Sequence, residues 1–107
     1  MNKDKVVYLN SEEDLEELSK KDIHILYFSS ENCNVCHSVF PKLVEITFEL
    51  DIEIGRIDVN KNVKLAGQHL VFSIPTILVF HEGREVARES RFINFDKLER
   101  TLNILLS

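Results

Sequence analysis

The 107-residue sequence predicts an α/β domain, a three-layer α/β/α arrangement with a central mixed sheet. Three observations lead there. Short β-branched and aromatic runs alternate with stretches of helical spacing, which requires crossover connections between parallel strands. The last two strand patterns are joined by the two-residue turn Glu82-Gly83, so they pair antiparallel. The length, with 44% apolar residues, suits one packed core, and a single domain over residues 1–107 is expected.

Each element has its own signal. Lys5 to Leu9 is a short apolar run, read as a strand. Ser11 opens a helix with an S-x-x-D cap, Leu15 and Leu18 facing the core and Asp22 marking the end. Ile23 to Ser29, IHILYFS, is too short for a globular helix and reads as a buried strand. Glu31-Asn32 is a break, with Asn32 the expected cap. Cys33 to Leu50 then shows helical spacing in Val39, Phe40, Leu43, Val44, Ile46 and Leu50. Pro41 lies inside this pattern and, having no N–H to donate, predicts a kink. Ile52 to Val59 is a second buried strand, and Asn60 to Leu70 a short helix with Val63, Leu65, Ala66 and Leu70 apolar. Pro75 opens the strand Thr76 to His81, which pairs with Arg84 to Glu89. Asp96 to Leu106 is a closing amphipathic helix with Leu98, Leu102, Leu105 and Leu106 apolar. The order is β-α-β-α-β-α-β-β-α.

The formal net charge is −5, and no basic stripe with interleaved aromatics is present, so nucleic acid is not an expected partner. Residues 1–50 hold five Lys/Arg and ten Asp/Glu, against eight and eight in the remainder, so the acidic excess belongs to the first half. The acids from Glu12 to Glu17 read as the wet face and first turn of a helix. No apolar run approaches the ~18 residues of a membrane span. The first residues show neither a signal-peptide apolar stretch nor a small-residue cleavage site, so a cytoplasmic protein without a membrane partner is expected.

Cys33-Asn34-Val35-Cys36 is the most informative run, following a buried strand and starting a helix. Residues at i and i+3 share a helix face, close enough for a disulfide. The first cysteine lies at the helix N-terminus, where free N–H groups and the dipole favour a thiolate. The second lies one turn further in and is expected to be more buried. This suits Cys33 as attacking nucleophile and Cys36 as resolving thiol. Three other readings compete. A zinc half-site needs further ligands, and none of the four histidines forms a second tight pair. His37 makes the run C-x-x-C-H, the c-type haem pattern, for which Met1, His24, His69 or His81 are the available second axial ligands. The pair can also be two small buried hydrophobes one turn apart.

The chain resembles thioredoxin over nearly its whole length, in ILYFSSENCNVC, then Pro41, then GRIDVNKN, then SIPTILVFHEGREV. Cys33, Cys36, Pro41, Pro75 and Gly83 fall where that family has its redox cysteines, kinked helix, cis-proline loop and hairpin glycine. The resemblance implies a thioredoxin-like fold and a thiol–disulfide oxidoreductase with no metal or organic cofactor. It implies that the backbone of Ile74, before Pro75, pairs with a client chain. Val35, Phe72 and Ile74 would then rim the client site, with Phe72 equally readable as core. The implied partners are proteins with disulfides and an electron donor, either a thioredoxin-reductase-like enzyme or a small thiol. A monomer is expected.

Several family positions differ. Asn32 stands where the family has Trp, and Asn34-Val35 where it has Gly-Pro. Tyr27 replaces the buried Asp that relays protons to the resolving cysteine; with a reference pKa of ~10 it is a poor base near neutrality. Arg91 replaces a loop glycine and, beside Phe92, adds bulk that disfavours docking of the usual reductase. Loss of the proline restores an N–H at the helix start and points to a potential more oxidising than typical thioredoxin. His37, four residues after Cys33, is a candidate for tuning the thiolate, or a solvated helix residue. Arg56 and Asp58, near the site in family terms, are candidates for charge tuning. The missing Asp, Trp and Gly-Pro favour the alternative, a thioredoxin-like binding module with little redox turnover.

Overall fold

The computed structural model describes residues 5–107, in the order β1 (Val6–Tyr8), α1 (Glu12–Leu18), β2 (Ile23–Ser29), α2 (Asn34–Leu50), β3 (Glu53–Asp58), α3 (Val63–Gln68), β4 (Thr76–His81), β5 (Arg84–Ser90) and α4 (Phe95–Leu106). Met1, weighed above as a haem ligand, lies outside the described residues. The strands form one sheet in the order β1-β3-β2-β4-β5. β1, β3 and β2 run parallel, while β4 pairs antiparallel with both β2 and β5.

The central strand β2 is buried on both faces because its residues supply two cores in alternation. Ile25 and Tyr27 point into the core under α2 and α4, with Val39, Leu43, Leu98 and Leu102. Leu26 and Phe28 point into the core under α1 and α3, with Leu18, Ala66 and Val71. The predicted layers are therefore present. Gly55 of β3 packs closely under α1: a Cβ there would lie 2.5 Å from Leu18 Cδ2 and 2.6 Å from Leu9 Cδ1.

Element boundaries differ from expectation for local reasons. α1 is capped by Ser11, whose hydroxyl accepts from the Asp14 N–H at 3.2 Å, but it ends at Leu18 rather than Asp22. The intervening Ser19-Lys20-Lys21 contains no apolar residue to anchor another turn. The cap of α2 is Cys33, not Asn32. α2 runs through Pro41, which leaves the His37 carbonyl without its usual helical donor. α3 is shorter than read, and both Val63 and Leu70 are exposed. Leu70 takes a left-handed φ of 56° that carries the chain out of the helix. Glu82 and Gly83, with φ of 51° and 82°, form the tight hairpin turn.

Candidate active site

Strand register places a row of side chains under the start of α2. Tyr8 pairs with Arg56, and Arg56 pairs with Tyr27, across β1, β3 and β2. Above that row, Cys33 and Cys36 form a disulfide with a Cα–Cα distance of 5.2 Å. Cys36 is buried, 1% exposed, and Cys33 is partly open. Cys33 sulfur accepts the Cys36 N–H at 3.1 Å, and its carbonyl accepts the His37 N–H at 3.2 Å. One of the free N–H groups that open α2, that of Cys36, is thus directed at the Cys33 sulfur, an electrostatic condition that favours a thiolate there.

Tyr27 has a part that the sequence comparison did not give it. Its hydroxyl donates to the Cys36 carbonyl at 2.6 Å. Its side chain is fully buried, and burial pushes its pKa up to about 12 against an opposing pull from Arg56. Tyr27 is therefore a hydroxyl donor at any physiological pH. The i-to-i+9 spacing carries no recognisable motif; only the fold puts the phenol under the second cysteine. Phe40 packs on the Tyr27 ring at 5.2 Å, and the Arg56 guanidinium sits 4.1 Å above the Phe40 ring. Arg56 also donates through Nη1 to the Tyr8 hydroxyl at 3.0 Å.

The other predicted residues divide. The His37 ring lies against the Glu31 carbonyl at 2.8 Å, so Nε2 carries the proton and the ring is tied to the loop. Asp58 organises the turn after β3: its carboxylate accepts the Asn60 N–H at 2.9 Å and its carbonyl the Asn62 amide at 3.1 Å. Val35 is exposed, and Phe72 is 85% exposed, which removes the core reading of Phe72. Ile74 is half-buried and Pro75 buried, with the Ile74–Pro75 peptide cis. The Arg91 N–H donates to the Pro75 carbonyl at 2.8 Å, from a left-handed φ of 65°. A glycine adopts that backbone without steric strain, which fits the glycine expected there from the resemblance. Phe92 beside it is 86% exposed.

Among the described residues no group of three or more His, Cys, Asp or Glu is placed to hold a metal ion. His24 and His69 instead pack with Phe80 in the α1/α3 layer. Among the described residues no helix is long and apolar enough to cross a membrane.

Comparison with known proteins agrees with this geometry. The thioredoxin family model matches residues 5–103. The chain is 37% identical over 78 residues to thioredoxin-like protein YdfQ of Bacillus subtilis, covering 72% of this chain and 70% of that protein. It is 33% identical over 84 residues to thioredoxin of Chlamydia pneumoniae, covering 78% and 82%. Thioredoxin 1 of Thermosipho africanus superposes with a TM-score of 0.73 at 32% identity, covering 78% of this chain and 93% of that one. A mutant thioredoxin from Halobacterium salinarum shares the fold at a TM-score of 0.87 and 22% identity, covering 95% and 91%. Such proteins normally work without a bound cofactor. The chain belongs to the thioredoxin family of thiol–disulfide oxidoreductases.

Proposed function

We propose that this chain exchanges or reduces disulfides in protein clients, with Cys33 attacking and Cys36 resolving. The observation that supports this assignment is the asymmetry of the pair. Cys33 is the partly open N-cap whose sulfur receives an N–H, and Cys36 is buried behind it. In the cycle, Cys33 thiolate attacks a client sulfur, the client disulfide breaks, and its second sulfur leaves as thiolate. Cys36, losing its proton, then attacks Cys33 sulfur in the mixed disulfide. The client leaves fully reduced and the Cys33–Cys36 disulfide remains.

The client chain pairs with the backbone at Ile74 beside Pro75, and the exposed Val35 and Phe72 give it apolar contact. Arg56 and Asp58, as charges, and His37, as a polar ring beside the loop, are the groups assigned to tune the pair. No metal or organic cofactor takes part. Electrons return from a thioredoxin-reductase-like enzyme or a small thiol. We assign the activity to a monomeric single domain, residues 1–107, in the cytoplasm, where thiols are kept reduced.

A Cys36→Ser trap tests the assignment. It is expected to accumulate mixed disulfides with proteins of a cell extract, all released by dithiothreitol. Absence of adducts, or equal retention by Cys33→Ser/Cys36→Ser, would replace the exchange cycle with plain binding.

A further inference from the structure

We propose that the cavity next to the loop that carries Cys33 is a subsite for a low-molecular-weight thiol with an amino-acid end, carrying both carboxylate and ammonium. The thiol would be the small electron donor of Cys33–Cys36, so the inference rests on the redox cycle above. The cavity has a volume of about 420 Å³, and Tyr8, Ser30, Glu31, His37, Arg56 and Asp58 are among its walls. That size falls at the small end of the ~300–1,000 Å³ usual for small-molecule sites. Glu31 and His37 bracket Cys33 in the chain and touch each other at 2.8 Å, so the cavity abuts the loop that holds the reactive sulfur.

The charges in the cavity select the ligand. Arg56 is held in place by the Phe40 and Tyr8 rings and by one hydrogen bond to the Tyr8 hydroxyl. Among the described residues no carboxylate pairs with it. Its remaining N–H groups form a fork that suits a carboxylate. Asp58 Oδ1 accepts the Asn60 N–H, while Oδ2 has no partner among the described residues, and no cation pairs with the carboxylate. Lys61 and Glu31 are within 3.8 Å and offset each other. A bare carboxylate entering here meets Asp58, and a bare amine meets Arg56. A zwitterion satisfies both.

The chemistry balances with two thiol molecules. The first, as thiolate, attacks Cys33 sulfur; the Cys33–Cys36 bond breaks and Cys36 leaves with the electron pair and takes a proton. The second thiolate attacks the small sulfur of the resulting mixed disulfide, and Cys33 leaves as thiolate. Two thiols become one small disulfide, and the protein disulfide becomes a dithiol.

The test is the rate of reduction of the oxidised protein by γ-glutamylcysteine, 3-mercaptopropionate, cysteamine and 2-mercaptoethanol, each corrected for its thiolate fraction and basicity. The expected result is a rate for γ-glutamylcysteine about threefold to tenfold above that for 2-mercaptoethanol, the range a half-exposed charge-assisted contact supplies. The two singly charged thiols are expected to gain less. High ionic strength, Arg56→Gln and Asp58→Asn are each expected to pull the ratio towards one. Equal corrected rates for all four thiols on the wild-type protein would overturn the proposal, as would a ratio unchanged in Arg56→Gln. The wild-type series decides the matter even if a variant fails to fold. Dithiothreitol separates the two levels. If it reduces the protein and the ratio is one, only the subsite falls; if it cannot reduce Cys33–Cys36, the redox cycle falls as well.

Discussion

Tyr27→Phe removes the donor that lies 2.6 Å from the Cys36 carbonyl and little else, because the ring keeps its place against Phe40. A neutral hydrogen bond contributes about 0.5–1.5 kcal/mol net. The carbonyl that loses its partner is inside α2, where helix geometry still offers it the Phe40 N–H, so no buried acceptor is stranded. The full penalty of an orphaned group therefore does not apply, and the expected loss is about 1 kcal/mol. Urea unfolding of the oxidised protein measures it: the midpoint falls and the slope stays as in wild type. Alkaline titration adds a second signature. The phenol is held protonated up to about 12, above the ~10 of an unfolded tyrosine, so its contribution to stability is full below pH ~10 and is lost as pH rises from there to about 12. Tyr27→Phe should abolish that dependence. The same loss frees the backbone of the resolving cysteine, and mixed-disulfide resolution should slow. An unchanged urea midpoint together with an unchanged alkaline profile would refute the view that Tyr27 fastens Cys36.

The remaining expectations concern other parts of the fold. His24 is buried with Nδ1 lacking a hydrogen-bond partner, and burial pushes its pKa down, the Lys21 backbone opposing this and the His69 charge adding to it. Its stabilising contribution is complete above pH ~6.5 and is lost as pH falls from there through the lower folded value; urea midpoints at neutral and mildly acidic pH should diverge more in wild type than in His24→Leu. Gly55→Ala forces a methyl against Leu9 and Leu18 and should cost about 1–3 kcal/mol, read as a drop in thermal midpoint; no drop would mean that layer is looser than its distances imply. Arg91→Gly should stabilise by about 0.5–1 kcal/mol, since left-handed strain of ~1–2 kcal/mol outweighs the ~0.5–1 kcal/mol that glycine's chain entropy costs. A destabilised Arg91→Gly in the same urea assay would mean that the arginine side chain contributes more than its backbone costs.

Strand and helix identities were legible because period and turn chemistry agree at each of them. Ile23–Ser29 is the clearest case, since a seven-residue run rich in β-branched and aromatic residues is too short for a globular helix. Helix ends were less so. Nothing in Asn32-Cys33 says which residue caps, and a sulfur took the place of the side-chain oxygen usual in a cap. Phe72 could not be placed from sequence because a single aromatic in a loop has no period to reveal its face. The Cys pair was visible as a motif, whereas Tyr27 and Arg56 acquire their neighbours only through register, which joins residues from β1, β2 and β3. The replacement of the family's buried acid by Tyr27 is legible in the sequence; the hold of its phenol on the Cys36 carbonyl is not.

The most direct test of the account is a redox titration of the purified protein, read by alkylation and intact mass. A reversible two-electron transition confined to Cys33 and Cys36 is expected, with a midpoint above the ~−270 mV of thioredoxin. Failure of the pair to form or lose its disulfide reversibly would contradict it and leave a thioredoxin-like scaffold that binds without exchange.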